Sequence, residues 1–117
     1  MSDFLTSNFF YSPWYKTQCV QLAAHEADAP QGTVIGVGID SQSGAATYSV
    51  GIPTGGSAYG VLLRDTAAAT GAQAVDVIVC GELFRETVNA VYKAANSDND
   101  LPESVVVALR DIGIILK

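Results

Sequence analysis

The sequence predicts a mainly β domain with one or two short helices, including a C-terminal helix followed by a final strand, and an extended N-terminal arm. Three observations favour this fold class: short β-branched runs, Gly- and Pro-containing turns between them, and one late segment with helical spacing. The length of 117 residues fits a single domain. We therefore divide the chain into an arm at residues 1–18 and one domain at residues 19–117.

Four segments carry the strand signal, and turns or loops separate them. They are residues 33–39, 46–52, 58–63 and 75–80. DSQSG at 40–44 and PTGG at 53–56 are typical of turns. The alanine-rich stretch before residue 75 is predicted to be an exposed loop. In the last segment both alternating sets of side chains are largely apolar, which indicates a strand buried on both faces.

The clearest helical signal follows the loop at residues 97–100. Asp100 and Glu103 have the spacing of a capping box, in which the first carboxylate accepts hydrogen bonds from first-turn amides. The apolar residues of one helical face are Leu101, Val105, Ala108, Leu109 and Ile112. A glycine ends this helix, and residues 114–116 are predicted to form a terminal strand. Residues 83–92 fit either a continued strand or a second helix.

The first 18 residues are unusually rich in aromatic side chains. These are Phe4, Phe9, Phe10, Tyr11, Trp14 and Tyr15. A disordered tail is usually poor in aromatics, so we expect this segment to dock on a surface. That surface is either the protein's own domain or a partner protein. For a partner, the anchors would be the aromatics at positions 9–15, since interface energy concentrates in Trp and Tyr.

The charge balance argues against two classes of partner. Twelve acidic and six basic residues give a net charge of −6, and the cations are scattered singly. Phosphate backbones and anionic membranes would be repelled, so we expect no nucleic-acid and no membrane partner. With 15% charged residues, the chain suits a subunit of an assembly, although a compact monomer with a small-residue surface remains the alternative. The sequence shows neither a signal peptide nor a membrane span.

The two cysteines, Cys19 and Cys80, lie far apart in sequence and form no CxxC pair. Two buried thiols in a reducing cytoplasm are the expected state, and a single disulfide is the alternative.

Two motifs resemble known binding sites but lack essential parts. Gly36 and Gly38 give G-x-G after a strand, yet the third position is Ser41, and a turn follows where a dinucleotide site needs a helix. Glycines within a strand more often mark a bulge or a close backbone approach. His25 is the only histidine, whereas a zinc site needs three or four ligands. We interpret His25 as a surface side chain in a polar loop.

Four acidic side chains at strand and helix margins could in principle perform acid–base chemistry. They are Asp65, Asp76, Glu82 and Asp111. Surface ion pairs with Arg64, Arg85 and Arg110 are the simpler interpretation. The sequence contains no phosphate-loop motif and no nucleophile elbow. We therefore predict that the protein is not an enzyme and that it uses no cofactor and no metal.

From Gly32 to the C-terminus, the order of these signals resembles the head decoration proteins of lambda-like bacteriophages. The matching stretches are GTVIG at 32–36, AYGVLLRD at 58–65, VDVIVCGELF at 75–84 and ALRDIGIILK at 108–117. The chain departs from the family pattern at Arg64, where an acidic residue is common, and at Ala67–Ala69, where Asp is often repeated. The stretch 89–100 is longer than usual for the family.

The resemblance implies a small β-roll or β-clip-like subunit that forms a homotrimer. It would bind the major capsid (coat) protein on the outer surface of the expanded head, at three-fold or quasi-three-fold positions. As a late structural protein made in the host cytoplasm, it would stabilise the virion against DNA pressure. Phe9, Phe10, Tyr11, Trp14 and Tyr15 would then contact the coat protein. Two alternatives stay open: a β-rich domain that binds a small ligand such as a nucleotide, and another phage structural component.

Overall fold

The structure is a computed structural model that describes residues 9–117. Its elements, in chain order, are β1 Phe10–Leu22, β2 Val34–Ile39, β3 Ala46–Val50, β4 Ser57–Leu62, β5 Gln73–Leu83, α1 Arg85–Ala95, α2 Glu103–Asp111 and β6 Ile114–Leu116. The prediction of a mainly β domain with short helices, and with a C-terminal helix followed by a final strand, is confirmed. The ambiguous stretch 83–92 divides between the end of β5 and the start of α1.

The strands form one sheet in the order β1-β3-β2-β4-β5-β6, with an additional pairing of β1 with β5. The long strand β1 runs antiparallel to β5 from Phe10 to Leu22. On its other edge β1 meets β3 in parallel, at Leu22 opposite Tyr48. This short contact closes the sheet into a small barrel.

The apolar core has two parts, one on each side of β5. The barrel part contains Val20, Leu22, Ala29, Ile35, Leu62, Val75 and Val77. The other part includes Ile78 of β5 together with α1 and α2, and α2 packs against β4 and β6. Burial of β5 on both faces is therefore correct for the segment around Val77 and Ile78. At the start of the strand, Ala74 and Asp76 are exposed because no element among residues 9–117 covers that face.

The start of α2 differs from the prediction. Pro102 occupies the N-cap position, and no side chain caps the helix, so the expected capping box of Asp100 and Glu103 does not form. Asp100 turns instead to α1, where its carboxylate lies 3.4 Å from the amide nitrogen of Asn89. Asn89 in turn accepts a 2.7 Å hydrogen bond from the backbone N–H of Leu101. Asp100 and Leu101, which lie just before α2, thus contact α1 instead of capping α2.

The buried face of α2 also differs from the prediction in one place. Leu101 and Leu109 are buried as expected, but Ile112 is exposed because it is already the C-cap residue, beyond the last helical turn. Val106 takes part in the core in its place. Helical spacing predicted most of the apolar face, and Gly113, which was predicted to end the helix, directly follows the C-cap residue.

Glycines in β2 and β4 allow close backbone approaches, as the sequence indicated. A register shift lies between Ile35 and Gly36, and a Cβ at Gly36 would stand 2.5 Å from the carbonyl oxygen of Gly51. A Cβ at Gly60 would collide with the carbonyl oxygen of Ile78 on β5. Gly36 is therefore explained by its close approach to the turn after β3, whereas a Cβ at Gly38 would make only an ordinary 3.5 Å contact with Pro53.

Candidate interaction surface on strand β1

The structure divides the five predicted anchor residues into two groups. Phe9 and Phe10 are only 1% and 7% exposed, and both belong to the protein's own core. They leave no surface for a partner in this conformation. Tyr11, Trp14 and Tyr15 are 52%, 57% and 40% exposed. The described part of the predicted arm thus lies within β1, and residues 1–8 lie outside the described residues.

The exposed aromatics belong to an irregular part of the β1–β5 ladder. Phe10 of β1 pairs with Leu83 of β5. The next paired residue of β1 is Tyr15, which stands opposite Gly81. Residues 11–14 therefore bulge out opposite a single residue of β5, and we call them the aromatic bulge. Bulges of this kind re-aim side chains at the edges of sheets.

Two features within the aromatic bulge suit its geometry. Pro13 has no backbone N–H to donate to a ladder, so a bulge at a sheet edge is a position that it tolerates. The backbone N–H of Trp14 is satisfied locally by the hydroxyl oxygen of Ser12, at 3.2 Å. The stretch keeps its conformation without ladder bonds and leaves the indole of Trp14 exposed.

Neighbouring side chains hold two of the aromatic rings. Tyr11 packs edge-on against Phe84, with ring centroids 5.4 Å apart. The ammonium of Lys117 lies 5.2 Å from the centroid of the Tyr11 ring. Tyr15 stacks on the buried Phe10 ring at 4.2 Å. Rings held in place before binding lose less conformational entropy when a partner covers them.

Gly81 allows the aromatic bulge to lie close to β5. Its φ is +152°, and a Cβ there would stand 2.9 Å from the Cβ of Tyr15 and 3.4 Å from the carbonyl oxygen of Trp14. A side chain at this position would therefore push the two strands apart. The sequence showed this glycine, but its role depends on a contact with a residue 66 positions earlier in the chain.

The second edge of β1 is open along most of the strand. Among the described residues, the strand partner on that edge is β3, and it reaches only Leu22. From Pro13 to Cys19 every residue is also exposed. A strand exposed on both faces and along one edge is a template on which another strand can pair. The sequence signal for it is the run of polar residues after Tyr15.

The remaining candidate residues are His25 and the charged side chains at the strand and helix margins. His25 has its ring Nδ1 2.8 Å from the carbonyl oxygen of Ala27, and residues 9–117 contain no cluster of three metal ligands. Arg64 pairs with Asp76 at 4.0 Å, which is one of the expected surface ion pairs, whereas Arg85 pairs at 2.7 Å with Glu103, a carboxylate outside the expected set.

The two cysteines differ from the expectation of buried thiols. Cys19 is exposed and Cys80 is half-buried, and both are free, so the alternative of a disulfide is also wrong. The prediction fails for Cys19 because it lies in the part of β1 that no other element covers.

An uncharged cavity of about 340 Å³ lies between the turn after β3 and the C-terminal half of α1, and its lining is mainly apolar but includes Thr33, Tyr92 and Asn96. The described residues that line it include Val50, Ile52, Val91 and Val105, and none of them is charged. A nucleotide's phosphates would therefore find no cation there.

Comparisons of this chain with family models, with curated proteins and with solved structures found no match in any of the three. In the described part of the chain, neither helix has the length and apolar character needed to cross a membrane.

Proposed function

We propose that this protein is a structural decoration subunit of a bacteriophage capsid. It binds the coat protein on the outer surface of the expanded head as a homotrimer, at three-fold or quasi-three-fold positions, and it stabilises the lattice against DNA pressure. The order of the sequence motifs supports this proposal. The observation that carries it is the segment of β1 from Tyr11 to Cys19, which combines exposed aromatics with an open strand edge.

In this proposal, β1 is the acceptor for an extended coat-protein segment. Main-chain hydrogen bonds along the open edge give affinity, and alternate side chains give specificity. Tyr11 and Trp14 of the aromatic bulge supply the apolar anchors. Three copies of this surface on one trimer bind with avidity when the lattice lets them engage together. Binding that is selective for the expanded lattice then stabilises it by mass action.

The direct test is co-sedimentation of the intact protein with expanded and unexpanded heads, assembled from the coat protein of the genome that carries this gene. We expect saturable binding to expanded heads and little binding to unexpanded ones. Light scattering should give the mass of a trimer, or a monomer that trimerises on the head. Absence of binding to expanded heads would contradict the proposal.

A truncation is a poor version of this test. Deleting residues 2–16 would remove Phe9 and Phe10, which are core residues, and would thereby destabilise the fold itself. Point substitutions on the exposed part of β1 separate binding from folding.

The uncharged cavity beside α1 favours a second candidate function, the binding of a small apolar ligand. A thermal-shift screen tests this function, with a panel of nucleotides and with small apolar molecules such as indole as candidate ligands. A rise in melting temperature with indole but not with nucleotides would support binding of a small apolar ligand. No rise with either would contradict this second function and would not bear on the capsid proposal.

A further inference from the structure

Lys16 lies next to the exposed aromatics. It is one of two cations that form no ion pair within residues 9–117. The other four pair with carboxylates, as Arg64–Asp76, Arg85–Glu103, Lys93–Asp100 and Lys117–Glu82. None of the ion pairs among residues 9–117 includes Lys16 or Arg110. Lys16 is exposed, and it is the one charged side chain of β1.

The carboxylates closest to Lys16 along the β1–β5 ladder are already engaged. Lys16 stands opposite Cys80, which β5 places between Asp76 and Glu82. Asp76 lies 4.0 Å from Arg64, and Glu82 lies 3.9 Å from Lys117. The surface of β1 around Lys16 is therefore neutral to positive, although the net charge of the whole protein is −6.

We propose that the segment that binds along β1 is an acidic strand, with a carboxylate beside Lys16 and an apolar side chain against Trp14 or Tyr15. This inference rests on the proposed function and names the chemistry of the partner at that site. An added strand would lie about 4.8 Å from β1, so its side chains opposite Lys16 come within reach of the ammonium.

The choice of an acidic partner follows from complementary charge. A basic segment would be repelled by Lys16, the one charged side chain of β1, which no ion pair among the described residues neutralises. An acidic segment would be repelled by most of this protein's surface but not by β1, which carries no carboxylate. Complementary charge therefore favours binding of an acidic segment at β1 over binding at other surfaces of the molecule.

The test compares two charge reversals in co-sedimentation with expanded heads. Lys16→Glu should weaken binding about tenfold, because it converts an attractive pair into a repulsive one. Arg110→Glu is the matched control, since it makes the same charge change at the other unpaired cation, on α2; it should change binding by less than about twofold. Lys16→Arg should keep the wild-type affinity.

Salt dependence provides the second readout. Wild-type binding should weaken as NaCl rises from 50 to 500 mM, because salt screens exposed ion pairs over a Debye length of roughly 10 Å at 0.1 M. The Lys16→Gln variant, which lacks the charge, should lose part of this salt dependence. Thermal melts of the free variants verify that each is folded. Equal binding by Lys16→Glu and Arg110→Glu, with the wild type still bound, would overturn this inference alone. No binding by the wild type would overturn the proposed function, and this inference with it.

Discussion

Strands β1 and β5 pair with each other along one ladder, yet they differ in how far the rest of the molecule covers them. β5 has β1 on one edge and β4 and β6 on the other, and its side chains enter both parts of the core. Among the described residues, β1 is paired along one edge with β5 and on its other edge only at Leu22, and from Pro13 to Cys19 it is exposed. β5 therefore contributes to both parts of the core, whereas much of β1 stays exposed.

The largest expected effect comes from a pair of residues that face each other across this ladder. Ile78 of β5 is fully buried, whereas its partner Thr17 on β1 is exposed. Ile78→Ala should lower the free energy of unfolding by about 2–5 kcal/mol, because it removes buried methyl groups and leaves a cavity. Thr17→Ala should change it by less than about 0.5 kcal/mol. Urea denaturation measures both, and equal losses would contradict the division between the strands.

A smaller effect is expected at the contact between the aromatic bulge and β5. Gly81→Ala should lower the free energy of unfolding by about 1–3 kcal/mol, since it adds backbone strain at a positive φ as well as a clash with Tyr15. Gly71→Ala is the control, because a Cβ there would meet no atom within 4 Å. The fluorescence of Trp14, the single tryptophan, should shift in the Gly81 variant and stay unchanged in the control.

The next substitution should weaken binding without changing the stability of the fold. Trp14→Ala should leave the free energy of unfolding within about 0.5 kcal/mol of the wild type, because the side chain is exposed. It should weaken binding to expanded heads by about tenfold or more, as expected for a central aromatic anchor. Ile39→Ala removes another exposed apolar side chain, at the end of β2, and should have no effect on binding. Equal binding by wild type and Trp14→Ala would remove the bulge from the proposed site.

The smallest effect concerns the two thiols, one on each strand. Ellman's reagent should modify Cys19 rapidly in the native protein and Cys80 more slowly, because only Cys19 is exposed. In the Cys19→Ser variant the fast phase should disappear. On addition of expanded heads, Cys19 should become protected if the open edge of β1 is covered. A Cys19 rate that bound heads do not change would place the contact elsewhere.

The local pattern of the chain was sufficient to predict most of the regular elements. Valine-rich runs separated by glycine-containing turns predicted β2 to β5, and helical spacing after residue 100 predicted α2 and the strand that follows it. These features depend on residues close in sequence, whose periodicity is imposed by the geometry of strands and helices. For the same reason the glycines of β2 could be interpreted as a bulge or a close approach.

The tertiary structure decided the features that depend on distant residues. Aromatic content alone did not distinguish Phe10, which packs into the core, from Trp14, which is displaced by the bulge opposite β5. Asp100 has the sequence of a helix cap, but contacts with α1 provide another partner for it. The open edge of β1 likewise follows from the barrel closing at Leu22 alone. Composition predicted that the N-terminal segment docks on a surface, and for residues 9–18 long-range strand pairing decided which side chains face solvent.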